Sequence, residues 1–95
     1  MLPILVPEHQ ICIFSFYFGG KMHKGTCHAG ELYCKLEDFD ISQRAKVYEL
    51  GCKLANAGNQ VMISSASRRY RIWVSLRSPY YSKVSTDLLE ASSCA

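Results

Sequence analysis

Asp40-Ile-Ser-Gln-Arg-Ala-Lys-Val-Tyr-Glu-Leu-Gly-Cys-Lys-Leu-Ala-Asn-Ala-Gly58 carries a helical period, and the rest of the fold is read outward from it. Asp40 stands three residues before Gln43, the spacing of a capping box, and an acid at this position complements the positive end of the helix dipole. A helix is therefore expected from Ile41 to Ala57. Ile41, Ala45, Val47, Tyr48, Leu50, Leu54 and Ala55 form a broad apolar stripe, while Ser42, Arg44, Lys46, Glu49 and Lys53 supply the wet face. Gly58 suits the left-handed residue that ends a helix. Gly51, in the middle, costs about 1 kcal/mol relative to Ala, a cost that close approach of a strand would offset.

On the N-terminal side, Ile11-Cys-Ile-Phe-Ser-Phe-Tyr-Phe18 is apolar on both alternating faces and ends at Gly19-Gly20. This pattern predicts an inner strand covered on both sides. Lys21 to Gly30 shows no period and reads as an irregular connection. From Glu31 to Glu37 alternation returns, with Leu32, Cys34 and Leu36 on one face, which predicts a half-buried strand. On the C-terminal side, Gln60 to Ser64 and Arg69 to Arg77 alternate around a short polar turn at Ser65-Ala66-Ser67-Arg68, a hairpin pattern. Pro79 stops the last strand, and Thr86 to Ala91 has the composition of a short helical turn. The expected fold is α+β, in the order β-β-α-β-β, with an antiparallel sheet of about four strands under one main helix. A chain of 95 residues holds one domain spanning 1–95, with 1–8 and 83–95 as tails.

A hydrophobic content of 48% with 20% charged residues excludes an intrinsically disordered chain. The net charge of +3 is unevenly placed. Acids and bases balance over residues 1–58, so the excess lies in Arg68, Arg69, Arg71, Arg77 and Lys83, which face only Asp87 and Glu90. Glu31 to Asp40 is net acidic. Such asymmetry favours an anionic partner, or the acidic segment of a second copy, but it is too small for a general nucleic-acid coat.

The five cysteines are an odd set without a Cys-x-x-Cys pair, which argues against a disulfide-stapled secreted domain. Leu2 to Val6 is apolar but has no basic flank and is interrupted at Pro7-Glu8-His9-Gln10, so it resembles neither a signal peptide nor a membrane span. The expectation is a cytoplasmic protein with reduced thiols and no membrane partner.

His23, Cys27, His28 and Cys34 are zinc-ligand residue types, but the spacing matches no standard site and Cys34 falls on a buried strand face. Cys27 beside His28 or His23 is a nominal nucleophile–base pair, yet neighbours on extended chain point apart. Neither a cofactor nor a small-molecule substrate is evident. Cys12, Cys34 and Cys52 read as small packing hydrophobes.

The most informative feature is the last strand. Turning Tyr70, Ile72, Val74 and Leu76 toward the helix sends Arg69, Arg71, Trp73, Ser75 and Arg77 to the other face. Tyr33 and Lys35 join them if the second strand shares that face, as does Tyr17 from the first. This predicts a working surface with Trp73 as anchor and Arg69, Arg71 and Arg77 as rim, since Trp, Tyr and Arg are the residues enriched at interface hot spots. A small non-catalytic interaction or regulatory protein, binding another protein or forming a homodimer, is the favoured class. Binding of single-stranded nucleic acid by base stacking and phosphate contacts stands second. A metal or redox protein built on the His23–Cys34 loop stands third.

Overall fold

The structure, a computed structural model, describes residues 2–81. Strands β1 (Ile4–Pro7), β2 (Ile13–Phe18), β3 (Lys21–His28), β4 (Glu31–Asp40), β5 (Val61–Ser65) and β6 (Arg69–Ser75) form one six-stranded sheet in the order β1-β5-β6-β4-β3-β2. One helix, α1 (Arg44–Asn56), lies between β4 and β5 in sequence. The α+β class and the single main helix are as expected. The sheet is larger than the four antiparallel strands anticipated and is mixed, because β1 pairs with β5 in parallel while every other neighbour is antiparallel. The proposed C-terminal turn at Thr86 to Ala91 lies outside the described residues.

Helix entry follows the sequence closely. Asp40 accepts from the Ser42 amide at 3.0 Å, and the Asp40 amide donates to Gln43 Oε1 at 3.2 Å, closing the capping box. The first turn, Ile41–Gln43, is 3-10, and α1 proper starts at Arg44. β4 and β5 both run antiparallel to β6, which lies between them, so the helix carries the chain over β6. Val47 and Ala55 of α1 pack into a core of Cys34, Val61, Ile63, Tyr70, Ile72, Val74 and Tyr81. The approach is close at Gly51, where a Cβ would stand 2.9 Å from Ile63 Cδ1 and 3.2 Å from Pro3 Cγ, so only glycine fits without displacement.

Two elements depart from the sequence reading for identifiable reasons. Lys21 to His28, expected as an irregular loop, is β3. Its strand period is hidden because Gly25 stands where an apolar side chain would be expected. A Cβ there would lie 2.6 Å from Phe16 Cε1, so the rings of β2 cover this strand instead of its own side chains. Two-residue turns at Gly19-Gly20 (φ 68 and 75) and Ala29-Gly30 (φ 51 and 79) join β2, β3 and β4 into a meander. Ile4–Pro7, read as part of a tail, pairs with β5 as β1; a short run flanked by Pro3 and Pro7 carries little strand signal. β2 itself, expected as an inner strand, is the outer edge of the sheet.

Between β1 at one edge and β2 at the other, residues 8–12 cross the face opposite α1. Cys12 O accepts from Thr26 Oγ1 at 2.7 Å and Glu8 pairs with Arg71, while Val6, Ile11 and Ile13 pack with Tyr33, Met62 and Trp73. This strap makes a second, smaller core, so the sheet is covered on both sides over its middle strands.

Candidate functional site

Sheet register confirms the facial assignment of the residues selected from sequence. Lys35 is the cross-strand partner of Trp73, Tyr33 of Ser75, Asp38 of Arg71 and Asp40 of Arg69, so the side chains of Tyr33, Lys35, Arg69, Arg71 and Trp73 share the strap face. Their exposure does not follow. Trp73 and Tyr33 are both 0% exposed, buried under the strap. The indole Nε1–H donates to Ser64 Oγ at 2.8 Å, and Tyr33 OH accepts from Gln60 Nε2 at 3.1 Å. Burial raises the Tyr33 phenol pKa above its ordinary value, the Gln60 contact offsets part of this, and the Glu31 charge adds to it. The expected anchor is therefore a core residue.

Part of the basic rim is neutralised within the chain. Arg71 pairs with Glu8 and, through Nε, with Asp38 at 2.9 Å. Lys35 reaches the other Asp38 oxygen at 2.8 Å. Burial of Asp38 opposes its ionisation, but hydrogen bonds and charges from Lys35 and Arg71 outweigh it and hold the carboxyl below the usual range. Arg77, its side chain 85% exposed, lies 3.6 Å from Glu31, while Arg69 is exposed opposite Asp40. The acidic segment that sequence offered to a second copy thus faces the basic strand of its own chain.

The His23–Cys34 residues do not converge. His28 shares the strap face with its partner Glu31, whereas His23, Cys27 and Cys34 lie on the helix face by strand alternation. His23 Nε2 contacts Phe18 O at 2.9 Å, Cys27 is exposed, and Cys34 is buried. Burial pushes the Cys34 thiol pKa up, and a hydrogen bond with Tyr81 only partly counters it, so this sulfur stays a thiol. Among the described residues, no three His, Cys, Asp or Glu side chains gather as a metal site. No helix among them is long and apolar enough to cross a membrane.

What the two layers leave uncovered is the β2–β3 hairpin. On the strap face Tyr17 is 75% exposed beside its cross-strand partner Met22, also exposed. On the helix face Phe14 is 39% exposed, its ring centroid 6.1 Å from that of Phe16. Next to it, Phe18, His23, Leu36 and Tyr81 line a hollow of about 380 Å³, with Lys21 among its walls. Alternation along the sequence brings Tyr17 to the surface but gives no signal for Phe14, because a strand apolar on both faces has the pattern of an enclosed one. The Gly19-Gly20 turn signalled the hairpin, but nothing local to β2 marked it as an edge. No family model, curated protein or solved structure matches this chain.

Proposed function

We propose that the protein is a small non-catalytic interaction module that binds another polypeptide through the β2 edge and its flanking aromatic side chains. The observation that carries this reading is the composition of that edge. From Ile11 to Gly20 there is no charged residue and no proline, yet the strand lies outermost in the sheet with Tyr17 and Phe14 in solvent. Edge strands in soluble proteins are usually blunted by lysine, proline or a bulge; one that is not blunted is suited to strand addition. The internal pairing of Arg71 with Glu8 and Asp38, and of Lys35 with Asp38, takes two cations of the sheet face away from an external phosphate and favours a protein partner over a nucleic acid there.

A photo-cross-linking residue in place of Tyr17, in the cells that make the protein, tests this. Adducts with protein are expected from position 17 and not from Lys53 on the wet face of α1. Adducts sensitive to nuclease instead, or none, overturn the reading.

A further inference from the structure

We propose that the occupant of this edge is β2 of a second copy, docked antiparallel with Ser15 on the two-fold axis. The inference rests on the protein-binding reading above. In the β2–β3 hairpin the tight Gly19-Gly20 turn makes Phe18 and Lys21 a hydrogen-bonded pair, and pairs of this kind alternate along the ladder. Phe14, Phe16 and Phe18 therefore turn their amides and carbonyls toward β3. Ile13, Ser15 and Tyr17 turn theirs outward, to the open edge.

A two-fold axis through Ser15 brings Ile13 opposite Tyr17 of the other copy, Ser15 opposite itself and Tyr17 opposite Ile13. Each is a narrow pair exchanging two bonds, about six in all. Moving the axis by one residue either way leaves only two such pairs inside the strand. In the same register Phe14 meets Phe16 of the other copy across the wide pairs, where side chains approach most closely. The exposed ring of Phe14 is thereby covered, and the two sheets become one.

Charge favours self-pairing as well. No residue from Ile11 to Gly20 is charged, and the nearest cations, Lys24 of each copy, stand one strand back on either side of the axis, each bonded to its own Ser15 at 3.2 Å. The opposite edge, β1, is unsuited to the same use, being four residues long, preceded by Pro3 and ending in Pro7.

The test uses the purified full chain. Light scattering over a concentration series is expected to show a mass rising to twice that of one chain. Ser15→Pro removes an outward amide that β3 does not use, and Ser15→Lys sets like charges against each other on the axis. Both variants are expected to lose the dimer while keeping the far-ultraviolet circular dichroism of the parent. Amide exchange at Ile13, Ser15 and Tyr17 should slow with concentration. In a C12S/C27S/C52S/C94S background, Ser15→Cys should oxidise to a covalent dimer, because narrow-pair Cα atoms about 5.5 Å apart suit a disulfide. Tyr17→Cys, facing position 13, should not.

A chain that stays monomeric at the highest concentration overturns the proposal. So does a dimer that survives both Ser15→Pro and Ser15→Lys, or a Tyr17→Cys chain that cross-links faster than Ser15→Cys. Protection of the three amides that does not change with concentration overturns it too, since the edge is then closed within a single chain. A monomer that nevertheless cross-links through position 17 to a different protein overturns the second copy and leaves the protein-binding reading standing.

Discussion

The two faces of the sheet are closed by different means. On one side lies α1, a helix of 13 residues that satisfies its own backbone and needs only apolar surface beneath it. On the other lies the strap, whose single 3-10 turn at Glu8–Gln10 closes the bond from Ile11 N to Glu8 O at 3.2 Å and which must find its other hydrogen-bond partners in what it covers. The underlying face differs accordingly. Beneath α1 it is Ile63, Ile72 and Val74; beneath and around the strap it is Trp73 with Ser64, Thr26 with the Cys12 carbonyl, and Arg71 with Glu8. A face covered by irregular chain carries polar residues that a face covered by a helix does not, and in sequence it looks like a face left to solvent.

The strongest test of this contrast is Trp73→Ala. If the strap closes a true core, the loss should be about 3–5 kcal/mol by urea or thermal unfolding, as large as the 2–5 kcal/mol expected for Ile72→Ala on the helix side. A Trp73→Ala melting curve close to the parent's would mean that the strap does not seal the face.

Next is the ion pair. Arg71→Met should cost about 2–3 kcal/mol, because it leaves the largely buried Glu8 carboxylate, whose Oε2 already has no hydrogen-bond partner, without its counter-ion. Adding Glu8→Gln should recover part of that loss. A double variant as unstable as the sum of the singles would show that the two do not interact.

Ser64→Ala should cost about 1–3 kcal/mol, since it removes the acceptor of a buried indole N–H while changing little volume. Equal stability of the two proteins in urea would contradict the hydrogen bond.

The smallest expected effect is that of pH. Asp38 and Asp40 both have carboxyl pKa values below the usual range; for Asp40 the leading cause is the Ser42 side chain. A depressed folded pKa gives stability that is complete above the ordinary carboxylate value and is lost as pH falls through the folded value. Unfolding midpoints should therefore drop below about pH 4. Asp38→Asn should remove about 1 kcal/mol or less of that dependence, because the side chain is half exposed and screened. A steeper acid transition in the variant than in the parent would reverse the assignment.

Much of the helix side was legible in the sequence. The capping pair Asp40 and Gln43, the end at Gly58, the close approach at Gly51 and the alternation of Tyr70, Ile72 and Val74 are local signals, each set by a few neighbouring residues. The strap side was legible only as parity: Trp73, Arg71 and Arg69 share a face as expected, but what lies over Trp73 comes from residues 6–13, far away in sequence. The candidate surface moved for the same reason. β2 has the composition of an enclosed strand, and composition reports what a strand tolerates beside it, not which neighbours its own chain supplies.

The parallel pairing of β1 with β5 also has a consequence in time. Ile4 leaves the ribosome well before its partner Met62, because β2, β3, β4 and α1 are all made between them. The meander of β2, β3 and β4 is closed by two tight turns and can assemble as it emerges. Leu2 to Val6 must wait unpaired for β5, and the strap cannot settle over Trp73 until the indole itself has been synthesised. β1, made before the strand it pairs with, is thus held for a late pairing, which leaves its apolar side chains and the open β2 edge together on the nascent chain, a state in which protection by a chaperone would matter most.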